Sequence, residues 1–323
     1  MIIFLFLFCE IIKKTQILQN MNENGVLVLG SIAYDCIETI YASEDYILGG
    51  SASFASLACS YFTKAKILGI VGKDFKENDI QRLLNRGIDI EGLEVDKSQD
   101  TFFWRGKYHE NFNRRDTLDV RLNVFANYTP KLPDNLKNSK IALLGNIHPA
   151  LQMHTFNQLK NPDFVALDSM DLWINTAHKD LLDIMKKVDL LIINDSESEL
   201  LSDEKNIYKA GEKILAMGPK NLIIKKGEHG AILFHKDGIF VACAHPVVDL
   251  RDPTGAGDSF AGSLIGCLAK ENSFSFDSFK KAVIYGSAVA SLTVESFSCT
   301  KLEDLGFDEV QKRFEYIKKI SSI

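Results

Sequence analysis

Asp252-Pro253-Thr254-Gly255-Ala256-Gly257-Asp258-Ser259-Phe260-Ala261-Gly262 is the stretch on which the reading of this chain turns. Pro253 stops a preceding strand, and Gly255 and Gly257 let the backbone turn sharply. Beyond the turn, Phe260, Ala261, Leu264, Ile265 and Leu268 recur at helical spacing, which predicts a helix starting at the Gly-Ala-Gly segment. Free N–H groups at such a start, aided by the helix dipole, suit a phosphoryl group in transfer. Asp258 stands at the edge of that site, where a carboxylate can take the proton of an attacking hydroxyl. On the residues alone, a glycine-rich helix start with a capping aspartate is an equally open reading.

Two other glycine loops predict different chemistry, and neither fits. A P-loop closes on Lys-Ser or Lys-Thr, whereas Asp258 follows the last turn glycine. A dinucleotide fingerprint opens the first strand-helix unit, whereas this segment lies in the last quarter of the chain. The full segment closely resembles the C-terminal signature of the ribokinase, or phosphofructokinase-B, family of carbohydrate kinases. The resemblance implies that Asp258 is the catalytic base and that the backbone of Gly255, Ala256 and Gly257 is the anion hole.

Composition sets the outer limits. At 323 residues, 46% hydrophobic and 25% charged, the chain is that of a globular protein with a large core. A net charge of -6 argues against non-specific nucleic-acid binding, which draws on a basic face. Six scattered cysteines indicate neither a zinc site nor a disulfide framework, so a reducing cytoplasm is the expected setting. The apolar run Met1–Cys9 is too short to span a bilayer and lacks a basic region before it. Residues 1–20 are therefore expected to be a misassigned extension ahead of a start at Met21, with the kinase domain over 21–323 and no membrane partner.

Val26–Leu29 reads as a buried first strand ending at Gly30. By resemblance Asp35 holds the substrate's hydroxyls, a role that suits a carboxylate accepting from neighbouring donors. Gly49 and Gly50 resemble the family's hinge, facing the substrate. Phe54 replaces the asparagine, and Ser51 the lysine, of ribokinase itself, so the sugar site differs and ribose is disfavoured; Phe54 is placed at the substrate. Residues 101–125 break the α/β alternation with strand-forming aromatics. With Cys36–Leu48 they are expected to form a small β-sheet lid, which in this family often supports a homodimer. Arg105, Arg114 and Arg115 are candidates to read a phosphate on the substrate, or plain solvated charges.

From Lys140 onward, apolar runs at Ile141–Leu144, Phe164–Leu167, Leu190–Ile193 and Leu222–Ile224 alternate with helical patterns, a doubly wound arrangement. The expected fold is α/β, a three-layer ribokinase-like sandwich with a mostly parallel central sheet and the lid. Asn194-Asp195-Ser196-Glu197 matches the family's Asn-x-x-Glu motif, which implies that Asn194 and Glu197 organise Mg²⁺ through water and nucleotide phosphates. Lys225, Gly227 and Thr254 are placed beside the nucleotide, and Asp252, with Thr254, where some members hold a monovalent cation such as K⁺. His229 and His235 stand apart from other ligand types and are given no metal role. The resemblance thus implies an ATP- and Mg²⁺-dependent kinase acting on a hydroxyl of a small sugar or polyol. A nucleoside kinase, a sugar-phosphate kinase and a non-catalytic sugar- or nucleotide-binding regulator are the alternatives.

Overall fold

The computed structural model describes residues 25–110, 112 and 114–321; the expected extension over residues 1–20 and the start at Met21 lie outside the described residues. Strand β1 (Val26–Leu29) leads into β2 (Ala33–Glu38) and β3 (Ser43–Gly49), and α1 (Ser51–Cys59) returns the chain to β4 (Ala65–Gly72). After α2 (Glu77–Asn85) and β5 (Asp89–Asp96), strands β6 (Phe102–Tyr108) and β7 (Arg115–Arg121) form a second excursion. Regular alternation follows: β8 (Ile141–Leu144), α3 (Pro149–Phe156), β9 (Phe164–Asp168), α4 (Asp171–Thr176), α5 (His178–Met185), β10 (Leu190–Asn194), α6 (Asp195–Ser202), α7 (Ile207–Ala216) and β11 (Asn221–Lys225). A hairpin, β12 (Ala231–His235) and β13 (Gly238–Ala242), precedes the helices α8 (Ala256–Glu271), α9 (Phe276–Thr293), α10 (Thr300–Asp304) and α11 (Phe307–Ser321).

Nine of these strands form one sheet in the order β13-β12-β11-β10-β9-β8-β1-β4-β5. Its pairings are parallel from β5 to β11, and the hairpin adds antiparallel pairings at one edge. Alternation along β1 explains the three layers. Val26 and Val28 join one core with residues of α1, α8 and α9, while Leu27 and Leu29 join the other with residues of α5, α6 and α7. All four are fully buried, each contributing about 1.5–3 kcal/mol of apolar burial. Ligands in such sheets gather at the carboxyl ends of the strands near the point where the strand order reverses. Here that point is β1, flanked by β4 and β8.

Both excursions meet in a second sheet of order β3-β2-β6-β7. It covers most of the two expected lid segments and starts earlier, at Ala33. Its seat on the main body combines a small apolar cluster of Tyr34, Cys36 and Phe103 against Phe75 with polar ties. Asp74 Oδ1 accepts from the N–H and hydroxyl of Thr101, both at 2.7 Å, and the Tyr34 hydroxyl donates to Asp79 at 2.7 Å. Gly50, at φ 91°, occupies a backbone region closed to most side chains as it links β3 to α1.

Candidate active site

Three successive strands each end in a polar group at the carboxyl edge: Asp168 on β9, Asn194 on β10 and Lys225 on β11, with Asn194 and Lys225 in direct register. Lys225 Nζ lies 3.4 Å from Asp168 Oδ1. Burial alone would strip the proton from Lys225, but Asp168, Glu197 and Asp258 outweigh it and raise its pKa, so the ammonium keeps its charge. The same Nζ sits 2.9 Å from where a Cβ on Gly257 would be. A cation therefore stands against the glycine turn, which the spacing of the sequence does not reveal. Asp168 was also missed there; its signal is an acidic residue directly after the buried run Phe164–Leu167.

The turn itself is tight. Gly255 caps α8 in the left-handed region at φ 76°, and a Cβ there would overlap the ring of Phe54. Phe54, expected at the substrate, is only 1% exposed. Its ring lies under the turn and offers no free face to a sugar, because α1 packs directly against α8 at this level. Ala256, expected in the anion hole, gives its N–H to the Pro253 carbonyl at 3.2 Å. Among the described residues no backbone carbonyl accepts from the N–H of Gly255 or Gly257, which leaves those two donors for an anion.

Asp258 follows in the first turn of α8, half-buried. Burial, then the neighbouring Asp168 carboxylate, push its pKa up to about 7, while Lys225, its own N–H and Arg115 pull the other way. A carboxylate so tuned sits near the pKa that favours general-base work at neutral pH. Glu197 is likewise pushed to about 7 by burial, against Lys225 and the Asn194 N–H. Its Oε2 accepts from the Asn194 N–H at 2.7 Å while Asn194 Oδ1 accepts from the Glu197 N–H at 2.8 Å, a capping box that fixes both groups at the start of α6. Among the described residues no group of three or more carboxylates, imidazoles or thiolates closes on one point. The side-chain oxygens of Asn194 and Glu197 are hard donors of the kind that suit a cation keeping water and phosphate ligands. Gly227, at φ 53°, opens a short turn after β11, and Lys226 N–H reaches the Gly230 carbonyl at 2.7 Å.

On the other side of the turn, Asp252 Oδ1 accepts from the Thr254 N–H at 2.9 Å. Burial raises its pKa to about 6 against hydrogen bonds from Thr254 and the Ser298 backbone. Asp35 projects from β2 with its carboxylate against Gly49, where any side chain would overlap it. Burial and the charges of Asp252 and Asp258 push its pKa well up, so Asp35, Asp252 and Asp258 belong to one electrostatic cluster. The lid closes on that cluster through Tyr108, whose hydroxyl meets Thr254 Oγ1 at 3.0 Å.

Comparison with known proteins bears on the family and the fold. The chain is 26% identical over 238 residues to 2-dehydro-3-deoxygluconokinase of Thermoproteus tenax, covering 69% of this chain and 73% of that one. It is 27% identical over 286 residues to nucleoside kinase of Methanocaldococcus jannaschii, covering 85% and 88%. A ribokinase II homologue from E. coli, solved with ATP and Mg²⁺, shares the fold at a TM-score of 0.75 and 20% identity, over 91% of this chain and 99% of that one. Residues 24–304 match the description "pfkB family carbohydrate kinase". The chain, with its ribokinase-like fold and its signature turn at the edge of the sheet, belongs to the pfkB family of carbohydrate kinases, phosphotransferases that act on hydroxyl groups.

Proposed function

We propose that this chain transfers the γ-phosphoryl group of ATP to a hydroxyl of a small sugar or polyol. The observation that carries the reading is Asp258, with its raised pKa, standing beside the free N–H groups of Gly255 and Gly257. In this reading Asp258 draws the proton from the substrate hydroxyl as its oxygen attacks in line. The Gly255 and Gly257 N–H groups and the Lys225 ammonium meet the charge on the phosphoryl oxygens. Asp168 holds Lys225 in place. Asp35 accepts from further hydroxyls of the substrate, while Gly49 and Gly50 let the lid close over it; Tyr108 and Thr254 then exclude water. Gly227 lets the backbone approach the nucleotide.

Glu197, Asn194 and Asp168 are the residues that would hold Mg²⁺ with the nucleotide phosphates, and the ion would neutralise phosphate charge. Asp252 would hold a monovalent cation, K⁺, which stabilises the charged form of a carboxylate that burial otherwise disfavours; equal turnover in potassium and in a bulky organic cation would remove that assignment. Two further elements of the reading are a homodimer through the lid and a cytoplasmic setting. Labelling of every thiol in freshly extracted protein tests the reducing setting. A nucleoside acceptor is the second reading, supported by the stacking face of Trp104 and by the nucleoside kinases among the relatives.

Asp258→Asn tests the reading. It keeps the shape of the turn and removes the proton acceptor, so turnover should fall by about 10²–10⁴-fold with nucleotide affinity retained. Near wild-type turnover, measured as ADP release on the same folded preparation, would sink the assignment.

A further inference from the structure

The inner face of the lid carries more than phosphoryl transfer uses. Asp35 on β2 stands beside Trp104 on β6 in parallel register, and across the antiparallel β6–β7 ladder Tyr108 pairs with Arg115 and Gly106 with Thr117. Paired residues project from the same face of a sheet, so Asp35, Trp104, Tyr108, Arg115 and Thr117 share one side. That side faces the signature turn, because the Tyr108 hydroxyl meets Thr254 there.

Trp104 lies flat over Gly106, where a side chain would overlap the six-membered ring, and its Nε1–H donates to Thr117 Oγ1 at 3.2 Å. The indole is thereby fixed with one face against the Gly106 backbone, and the residue as a whole is half-buried. The Arg115 guanidinium stands 5.8 Å from the ring centroid. Its neighbours on the lid strands have acidic partners: Arg105 pairs with Asp45 at 3.2 Å, Arg121 with Asp119 at 2.7 Å, and Lys107 with Glu38. Among the described residues no carboxylate lies at ion-pair distance from Arg115. Its charge nevertheless reaches the site, since it opposes the upward shifts of both Tyr108 and Asp258. A cation held on a ring face beside a cluster of carboxylates, with no carboxylate of its own, is placed for an anion that arrives with the ligand.

We propose that Trp104 and Arg115 form a subsite for an acidic substrate. The indole steadies the guanidinium, the sugar's hydroxyls reach Asp35, and its carboxylate or phosphate takes the guanidinium. The inference rests on the kinase reading and narrows its substrate class.

The test uses the full chain with ATP and Mg²⁺ and reads ADP release against matched compounds: a hexose, the corresponding hexonate, the hexose phosphate and a nucleoside. At least one of the two anions should exceed the neutral hexose and the nucleoside in kcat/KM, and which one does identifies the anion as carboxylate or phosphate. Arg115→Gln should raise the KM for that anion by about 10–100-fold while the KM for ATP stays unchanged, and Arg115→Lys should recover part of the loss. A preference for the neutral hexose or the nucleoside, or an unchanged KM in Arg115→Gln, overturns the proposal. So does a loss confined to the KM for ATP, which would assign the arginine to the nucleotide phosphates. Calorimetric binding of the same compounds without ATP separates the two readings. Anion binding that disappears in Arg115→Gln, in a protein that releases no ADP with any compound, would keep the subsite and reject the kinase. No anion binding and no turnover would reject both.

Discussion

At the scale of single residues, the site is an argument between charges. Lys225 is the only one of its strand-end neighbours that is positive, and three carboxylates hold its proton in place against burial. Lys225→Met keeps the length of the stem and removes that charge. It should lower turnover by about 10–10³-fold, since electrostatic stabilisation of a transferring phosphoryl group is lost, and should raise the pKa of the acidic limb of the pH–rate profile because Asp258 loses a nearby cation. Steady-state rates between pH 5 and 9 measure both effects, and an unmoved acidic limb would place Lys225 outside the catalytic cluster. The signature singles out Asp258 and its glycines as candidates from the chain alone, because a motif is local. Asp168 and Lys225 were harder to read. Each is one charged residue after a buried strand, and what joins them is parallel registry between β9, β10 and β11, which no short window of sequence contains. The seat of Phe54 is hidden for the same reason: its ring lies against Gly255, a contact between distant segments that an aromatic near a pair of glycines does not reveal.

At the scale of elements, the lid is a sheet assembled from two distant stretches, with β2 and β6 in parallel register. Its strand-rich aromatics announced it in the sequence, but its edges did not, since β2 begins inside what reads as the loop after β1. The lid also carries Tyr46, Leu118 and Val120 at 49%, 53% and 46% exposure. Tyr46 lies on one edge strand, β3, and Leu118 and Val120 on the other, β7; apolar side chains so exposed at the edges of a sheet suit burial against a second copy. If the homodimer forms through this sheet, Val120→Lys should shift the protein to a monomer in sedimentation velocity at micromolar concentration, with melting of the main body little changed. A dimer that survives the substitution would move the interface elsewhere. The hairpin of β12 and β13, by contrast, is set locally, because Lys236-Asp237-Gly238 supplies a turn between two apolar runs.

At the scale of the molecule, the alternation of apolar runs from Lys140 onward was enough to foresee a doubly wound sheet, and burial of successive β1 side chains in opposite cores is its structural counterpart. The fold also carries a collective cost. Asp35, Asp252, Glu197 and Asp258 all have raised pKa values, with burial as the first cause of each. A carboxylate whose folded pKa lies above its unfolded value binds more protons folded than unfolded, so stability falls as pH rises between the two values. The ligand-free protein should therefore lose melting temperature as pH rises from about 4 to about 7, the window between the ordinary carboxylate value and the raised ones. Asp258→Asn should flatten that slope and be more stable than the parent at pH 8, by calorimetry; equal slopes would show that the cluster is solvated. The placement of Trp104 has an optical consequence. The chain has two tryptophans, and Trp173 is fixed on the main body by its Nε1–H bond to Asn146 Oδ1 at 2.9 Å. Trp104 rides on the lid, so intrinsic fluorescence of the unlabelled protein can report in real time whether the lid shifts when ligands are added, with Trp173→Phe leaving a single emitter on that sheet.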